Sequence, residues 1–341
     1  MSIRLNNIMY NIIKNIYSYN RNYHSICQSK FYSCESLTTA NFPKCISIGS
    51  TAFHNCYSLT TANFPACTSI GSYAFNNCQS LTNISFPKCT SIESTAFNNC
   101  RSLTDISFPV CTNIGFRAFT LCISLTTANF PACISIGSSA FNSCQSLTNI
   151  SFPACTYIGS YAFYSCVSLT TADFPACIDI GLNAFRNCQS LTTASFPVCT
   201  NIGFNAFYSC QSLTTINFPA CTSIGNYAFC GCYSLTTANF PACTSIGSYA
   251  FQTCRLLTTA SFPACTYIGG SAFLNCSSLA SIYFTGTSIP TLNNTTAFRY
   301  TPLSNSTYIG KFGSIYVRSS LLNSFKTAAN WKTYSARMVG V

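Results

Sequence analysis

A unit of 22 residues recurs through most of this chain without an insertion or a deletion. The stretch from Cys56 to Phe75 reads CYSLTTANFPACTSIGSYAF, and its leucine, Leu59, belongs to a series of twelve. The series is Leu37, Leu59, Leu81, Leu103, Leu125, Leu147, Leu169, Leu191, Leu213, Leu235, Leu257 and Leu279. A fixed period of roughly 20 to 29 residues is typical of a solenoid, in which each unit contacts only its neighbours. The 341 residues therefore predict one repeat array rather than two or three globular domains.

Charged residues are scarce in the repeats, and those at the two ends of the chain are all basic. The net charge is +11, but all five acids lie among the repeats together with six basic residues. The remaining basic residues are Arg4, Lys14, Arg21 and Lys30 before the first full repeat, and Arg299, Lys311, Arg318, Lys326, Lys332 and Arg337 after the last. Because these cations are scattered rather than clustered, nucleic-acid binding is not predicted. Thr, Ser and Asn interrupt every apolar segment, so no membrane span is predicted either.

The 25 cysteines follow the repeat rather than a disulfide framework. One series runs from Cys34 to Cys276 and a second from Cys45 to Cys265, which together place 23 cysteines 11 residues apart. Columns at constant phase predict buried free thiols that act as small hydrophobic side chains. Cys27 and Cys230 fall outside both columns, and Cys230, on a predicted outward turn, is the candidate reactive thiol, with inert exposure as the alternative.

Each unit predicts a strand, a turn and a return path. Apolar and polar residues alternate from Leu59 to Phe64, which indicates a short strand that Pro65 ends. Ile70-Gly71 predicts a turn, and Ala74, Phe75 and Cys78 at one-turn spacing predict a short helical turn. Twelve units stacked about 4.8 Å apart would extend roughly 55 Å.

The sequence divides into three regions. Residues 26–284 hold a half repeat and about twelve full repeats. Residues 1–25 are predicted to be a capping helix or a disordered leader, since six apolar residues recur at helical spacing: Leu5, Ile8, Met9, Ile12, Ile13 and Ile16. Residues 285–341 are predicted to be a C-terminal cap with one strand, Ser314–Val317, and one helix.

The repeat resembles a known family. L-x-x-A-x-F-x-x-C, as at Leu59, Ala62, Phe64 and Cys67, is similar to the leucine-rich repeat strand signature. With the I-G-x-x-A-F-x-x-C continuation that begins at Ile70, it resembles the BspA-like subfamily over residues 26–284.

The resemblance implies an α/β leucine-rich repeat solenoid, with a parallel β-sheet on a concave face and short helical turns on the convex face. It also implies that cysteines at the Cys67 position bond backbone in the loops. Members of this family are often surface proteins implicated in adhesion, which suggests a cell-surface or extracellular location, although the sequence shows no recognisable signal peptide. The tail from Ile315 to Trp331 is similar to tails of repeat proteins of gut bacteria and their prophages, which adds a virion location as an option.

The outward positions of the predicted strand supply the candidate binding residues. They are small, polar and nearly uncharged, which predicts weak multivalent contact with a protein or glycan surface rather than one tight site. The candidates are Asp105, Thr127, Asn129, Asn149, Thr171, Asp173, Thr193, Thr215, Asn217 and Tyr283. The alternative interpretation is a polar face that serves solubility alone.

The sequence does not predict an enzyme, a metal site or a cofactor. Asp105 and Asp173 are three repeats apart, roughly 14 Å at the spacing of parallel strands, which is too far for a general acid–base pair. No Gly-rich phosphate loop or zinc-type cysteine pairing appears. Two hypotheses follow: an adhesion or recognition module, or a structural spacer of a prophage or virion whose basic C-terminal tail docks to a partner.

Overall fold

The computed structural model describes residues 23–304 and 312–341. It is a parallel β-solenoid in which every turn of the repeat pairs in register with the turn before it. Residue 61 pairs with residue 39 and with residue 83, so the step of 22 residues is also the pairing register. The predicted leader lies almost entirely outside the described residues.

One row of strands forms a continuous sheet of thirteen two-residue strands. It includes the Ser69–Ile70 pair, where the sequence predicts a turn, so that prediction is wrong. The strands are Ser25–Ile26, Ser47–Ile48, Ser69–Ile70, Ser91–Ile92, Asn113–Ile114, Ser135–Ile136, Tyr157–Ile158, Asp179–Ile180, Asn201–Ile202, Ser223–Ile224, Ser245–Ile246, Tyr267–Ile268 and Thr291–Leu292. In each strand the second residue is buried and the first points outward.

The other row carries the strand predicted after each leucine, and we call it the segmented face because it is divided into four blocks. Block 1 is Thr39–Asn41, Thr61–Asn63 and Asn83–Ser85; block 2 is Asp105–Ser107, Thr127–Asn129 and Asn149–Ser151. Block 3 is Thr171–Asp173, Thr193–Ser195 and Thr215–Asn217. Block 4 is Thr237–Asn239, Thr259–Ser261, Ser281–Phe284, Ser314–Val317 and Met338–Gly340.

Backbone hydrogen bonds are lost at each break between blocks. Within block 2 the amide of Thr126 donates to the carbonyl of Thr104 at 2.7 Å, and the hydroxyl of Thr126 donates to the same carbonyl at 3.1 Å. In the described chain the equivalent amides at the three breaks, those of Thr104, Thr170 and Thr236, make no such bond. Phenylalanine rings across the breaks are 5.9, 5.9 and 6.0 Å apart, whereas those within blocks 1 to 3 are 5.1 to 5.4 Å apart.

A larger side chain precedes every break. Ile84, Ile150 and Ile216 stand where most repeats have a buried alanine, and they follow one another at 66 residues, which is three repeats. These three isoleucines are half-buried, whereas Ile106 and Ile282 at the same position of other repeats are 3% and 0% exposed. We attribute each break to an isoleucine that does not fit fully into a position sized for alanine and holds the next strand away.

The core is a set of columns of identical side chains. Two phenylalanine columns, represented by Phe64 and Phe75, are buried along the array, with rings stacked within each column and edge-on between columns. Such offset and edge-to-face contacts add about 0.5 to 1.5 kcal/mol per pair beyond the area that they bury. Leucine, isoleucine and alanine columns fill the remaining space.

The return path consists of turns, not of the short helical turns predicted on a convex face. In the repeats that the structure describes, this path has turn geometry throughout. Among the described residues, helical segments occur in the C-terminal region, at Ser319–Leu321, Leu322–Thr327 and Trp331–Arg337. The amides of Tyr73, Phe75 and Asn77 donate to carbonyls of the next repeat at 2.7 to 3.0 Å, so the turns also form an inter-repeat ladder. Helices would space the return path more widely than the strands and bend the array. Turns stacked this closely remove that cause of curvature, and a concave face stays a prediction.

Two backbone requirements recur in the turns. Gly71 lies in close contact with the preceding repeat and has no unusual φ, since a Cβ there would lie 2.7 Å from the backbone nitrogen of Ser50. Most repeats have glycine at this position, and Glu93 is an exception. Left-handed φ values occur instead two and six residues after Gly71, at Tyr73 with 58° and at Asn77 with 63°. Asparagine tolerates this conformation well, and the side-chain amide of Asn77 donates to the side-chain oxygen of Asn55 at 2.9 Å.

The thiol columns are buried, and all 25 cysteines are free. In one column Cys78 donates its S–H to the carbonyl of Phe53 in the preceding repeat at 3.2 Å. In the other, Cys67 donates to the carbonyl of Ser69 at 3.2 Å, within the continuous sheet. Burial raises the pKa of Cys56 and Cys67 to about 12, which keeps these thiols protonated at neutral pH. Both columns therefore combine packing with a satisfied hydrogen bond.

The C-terminal region lies against the last repeats. Trp331 is 1% exposed, packs edge-on to Phe284, and donates its indole N–H to the carbonyl of Pro290 at 2.7 Å. Tyr334 is also buried and donates its hydroxyl to the carbonyl of Thr295 at 2.6 Å. These contacts cover the phenylalanine columns at this end, although the division of the chain at residue 285 stays a prediction.

A substitution in the left-handed column tests the turn geometry. Leu121 has a φ of 62° and is 39% exposed, so Leu121→Asn removes strain and little buried area. We expect it to raise the free energy of unfolding by up to about 1 kcal/mol in chemical denaturation. Leu182→Asn is the matched control, because Leu182 is 41% exposed and lies outside the left-handed positions. An equal effect of both substitutions would contradict this geometry.

The buried thiols predict a loss of stability at alkaline pH. An unfolded thiol has a pKa of about 8.5, below the raised values in the folded chain, so the folded state binds these protons more tightly. The stabilisation is complete below about pH 8.5 and is lost as the pH rises towards 12. The thermal unfolding midpoint should decrease as the pH is raised from about 8.5 to about 10.5. A Cys27→Ser variant, which lacks the exposed thiol, should show the same decrease. A constant midpoint over this range would refute the prediction.

Candidate functional site

All ten candidate binding residues lie on the outer side of the segmented face. Each is at the first or third position of a three-residue strand, or at the third position of Ser281–Phe284, while the second residue of the strand turns inward. Seven of the ten are exposed, and Thr127, Thr193 and Tyr283 are half-buried. Alternation along a pleated strand accounts for this placement.

The breaks separate the candidates into three groups. Block 2 holds Asp105, Thr127, Asn129 and Asn149. Block 3 holds Thr171, Asp173, Thr193, Thr215 and Asn217. Tyr283 is in block 4. The structure therefore brings these residues together as local clusters rather than as one uninterrupted surface.

Block 2 uses much of its polar chemistry internally. The carboxylate of Asp105 accepts hydrogen bonds from the hydroxyls of Thr127 and Thr126, the latter at 3.1 Å. Chiefly through the bond from Thr127, these interactions lower the pKa of Asp105. The amide of Asn129 donates to the hydroxyl of Ser107 at 3.2 Å. A groove of 540 Å³ lies along the break before Asp105 and is walled by Ile84 and by proline and phenylalanine side chains.

Block 3 leaves its polar groups available. Within the residues that the structure describes, the side chains of Thr171, Asp173 and Asn217 make no hydrogen bond to the rest of the chain. The hydroxyls of Thr192 and Thr214 are different, since each donates to a carbonyl of the preceding repeat at 3.0 and 3.1 Å. The hydroxyl of Thr215 lies 3.5 Å from that of Thr214, and the other first and third strand positions of this block are the ones free to meet a ligand.

Sequence reasoning missed an aromatic pair in block 4. Tyr316, in the last region of the chain, pairs in register with Tyr283, and the two rings stack with centroids 4.5 Å apart. The available signal was the shared tripeptide Ser-Ile-Tyr at residues 281–283 and 314–316, which places both tyrosines at the same outward position. The pair is the aromatic element of this face among the described residues.

The structure corrects the placement of the candidate reactive thiol. The side chain of Cys230 is 7% exposed rather than outward, and its thiol lies 3.5 Å from the side-chain oxygen of Gln252. Burial raises its pKa to about 11, which disfavours the thiolate that reacts. Cys27 is the exposed cysteine of the described chain.

The described residues offer no cluster for catalysis by a metal. No group of three or more His, Cys, Asp or Glu side chains among them is arranged to hold an ion. His54 stacks on Tyr32 with ring centroids 5.0 Å apart, and burial lowers its pKa. No helix in the described part of the chain is long and apolar enough to cross a membrane.

Basic residues of the C-terminal region are engaged by the chain itself. The guanidinium of Arg299 lies over the Tyr300 ring at 4.7 Å, and that of Arg337 over the Phe312 ring at 3.5 Å. Arg318 donates to the carbonyl of Gly286 at 3.2 Å. The guanidinium groups keep their charge in these contacts, and the cations exposed among the described residues of this region are Arg299, Arg318, Lys326 and Lys332.

Several solved leucine-rich repeat structures are similar to this chain. A leucine-rich repeat protein from Bacteroides ovatus is 26% identical, with 78% of this chain and 86% of that chain covered at a TM-score of 0.43. A leucine rich cell surface protein from Faecalibacterium prausnitzii is 27% identical, with 76% and 82% covered at a TM-score of 0.45. A leucine-rich repeat protein from Eubacterium ventriosum is 20% identical, with 73% and 85% covered at a TM-score of 0.43.

The family of this chain is shown by its sequence pattern rather than by these structural similarities. No curated protein matches the chain in sequence. The pattern of the BspA type leucine rich repeat region matches residues 3–119, 68–192, 112–220 and 200–319, which covers nearly the whole chain. The repeat, its two cysteine columns and this match agree, and the chain belongs to the BspA-type leucine-rich repeat family.

Proposed function

We propose that this chain is a non-catalytic recognition or adhesion module whose segmented face contacts a protein or glycan surface. The observation that carries the proposal is the set of exposed polar groups without intramolecular partners in block 3, above all Thr171, Asp173 and Asn217. Hydroxyl, carboxylate and amide groups that are already oriented but unpaired can exchange water for a ligand's hydrogen bonds.

The scaffold supports this use because it fixes the spacing of the contact groups. Each repeat is tied to the next through the continuous sheet, for example by the amide of Gly71, which donates to the carbonyl of Ile48 at 2.8 Å. Preorganised groups lose less conformational entropy when a partner binds. A face of this kind suits an extended or repetitive partner.

We expect the contact to be weak at each block and strengthened by repetition. Blocks 1 to 3 present no outward aromatic residue on their three-residue strands, and aromatic residues and arginine dominate the tight spots of most interfaces. Several modest contacts on one rigid body can still give strong overall binding through effective concentration.

The alternative is a structural spacer whose basic tail docks to a partner. Arg299 and Arg318 are exposed and keep their charge while they contact the Tyr300 ring and the carbonyl of Gly286, which supports this second proposal. Surface location, whether on a cell or a virion, stays part of the proposal.

Arginine substitutions on block 3 test the proposed face. In the triple variant Thr171→Arg, Asp173→Arg, Asn217→Arg, bulky cations replace three free polar groups. Binding of the full chain to bacterial or epithelial cells should fall by at least about tenfold, which corresponds to about 1.4 kcal/mol. The measurement is flow cytometry with the labelled protein.

The control places the same three changes on the continuous sheet. Thr156→Arg, Asp179→Arg, Asn201→Arg alters an aspartate and an asparagine in strands of the continuous sheet and the threonine just before its Tyr157–Ile158 strand. The side-chain amide of Asn201 donates to the Asp179 carboxylate at 2.8 Å, so the folding of this control is checked first. This variant should bind as the unmodified chain does. If the block 3 variant folds and binds equally well, the segmented face is not the contact surface.

A further inference from the structure

We propose that block 4 contains a saccharide subsite, formed by the free face of Tyr283 and the polar row that ends at Asn239. The inference rests on the proposed function, because it names the ligand class and the place on the same segmented face. The subsite adds Thr259, Ser261 and Asn239 to the candidate residue Tyr283, and it lies at the C-terminal end of the face.

Tyr283 presents one ring face to the ligand. Its other face is covered by Tyr316, whose ring is nearly parallel, with an interplanar angle of 9°. Side chains stand roughly perpendicular to a sheet, so the stacked rings form a wall across the block. The uncovered face of Tyr283 is therefore directed along the row towards Ser261, which pairs with Tyr283 in register.

A shallow cleft lies in front of this wall. Its volume is 400 Å³, within the range of about 300 to 1,000 Å³ that small-molecule sites occupy. The residues that line it are Thr237, Ala238, Asn239, Thr259, Ser261 and Tyr283. Neighbouring strands are about 4.8 Å apart, so Ser261 and Asn239 offer polar groups at one and two steps from the ring, respectively.

The polar groups of the cleft have no partner within the chain. Among the described residues, no side-chain hydrogen bond joins Asn239, Ser261 or Thr259 to the rest of the chain. Block 1 shows the contrast, since there the amide of Asn63 donates to the side-chain oxygen of Asn41 at 3.0 Å. One amide and three hydroxyls, those of two threonines and a serine, thus remain to donate and accept.

The chemistry fits a neutral sugar ring. No lining residue is charged, so the cleft has no group to select an ionic ligand. A pyranose has a face of C–H bonds that packs on an aromatic ring and a rim of hydroxyls that pairs with amides and hydroxyls.

An added peptide strand fits the cleft less well. The strands Thr259–Ser261 and Ser281–Phe284 are each paired on both sides, which leaves no free edge for strand addition at the ring.

Titration of the full chain with neutral hexose and N-acetylhexosamine tetrasaccharides, after selection on a glycan array, tests the subsite. Tyr283→Ala should weaken binding of the selected saccharide by at least about tenfold, since it removes the stacking surface. Tyr283→Phe keeps the ring and should bind within about threefold of the unmodified chain. Asn239→Ala should weaken binding by about threefold to tenfold, as expected for one hydrogen bond.

The matched control is Tyr267→Ala, because Tyr267 is a 38% exposed tyrosine on the continuous sheet. It should leave saccharide binding unchanged. If Tyr283→Ala does not fold, Tyr283→Phe and Asn239→Ala still decide the question, because Asn239 is exposed and its loss leaves the core intact.

The outcomes separate this inference from the proposed function. Equal saccharide binding by Tyr283→Ala and the unmodified chain overturns the subsite. Cell binding that depends on block 3, without binding of any saccharide, also overturns the subsite and keeps the recognition function, with a protein as the partner. If every segmented-face variant keeps both cell binding and saccharide binding, the subsite and the proposed function are both overturned.

Discussion

Backbone hydrogen bonds between successive repeats are the interaction on which the whole structure depends. In the repeats up to Phe284, residue i meets residue i + 22 in the continuous sheet and, within each block, on the segmented face, and the turns form a third ladder. A single inserted residue would shift every later pairing and reverse the side of each strand residue. This constraint explains why the unit keeps its length, and why columns of identical phenylalanine and cysteine side chains stack inside it.

On the segmented face, backbone pairing between repeats is interrupted after every third repeat in blocks 1 to 3. The continuous sheet does not break, whereas the strands after Ile84, Ile150 and Ile216 lose their hydrogen bonds to the preceding repeat. The array stays intact because the other two ladders cross each break. The consequence for function is that polar side chains are presented in blocks, each with its own degree of internal pairing. Asp105 is engaged, Asp173 is free, and Tyr283 is part of an aromatic wall.

Much of the architecture follows from the period, because identical columns at constant phase can be read directly from the chain. The outward placement of the ten candidate residues follows from alternation in the same way. The Ser69–Ile70 strand is too short to show a period, and the spacing of Ala74, Phe75 and Cys78 fits stacked turns as well as a helix. The stacking of Tyr316 on Tyr283 depends on how the tail docks, and the burial of Cys230 depends on side chains of adjacent repeats.

Amide hydrogen exchange, resolved to single residues, tests the account most directly. The amides of Thr126, Thr192 and Thr258 donate across repeats within blocks at 2.7, 2.8 and 2.9 Å, and those of Thr104, Thr170 and Thr236 face the breaks. We expect the first set to be strongly protected and the second to exchange at least about tenfold faster, while amides of the Gly71 column are protected across every break. Equal protection of the two threonine sets would show that the face is continuous and would contradict its division into blocks.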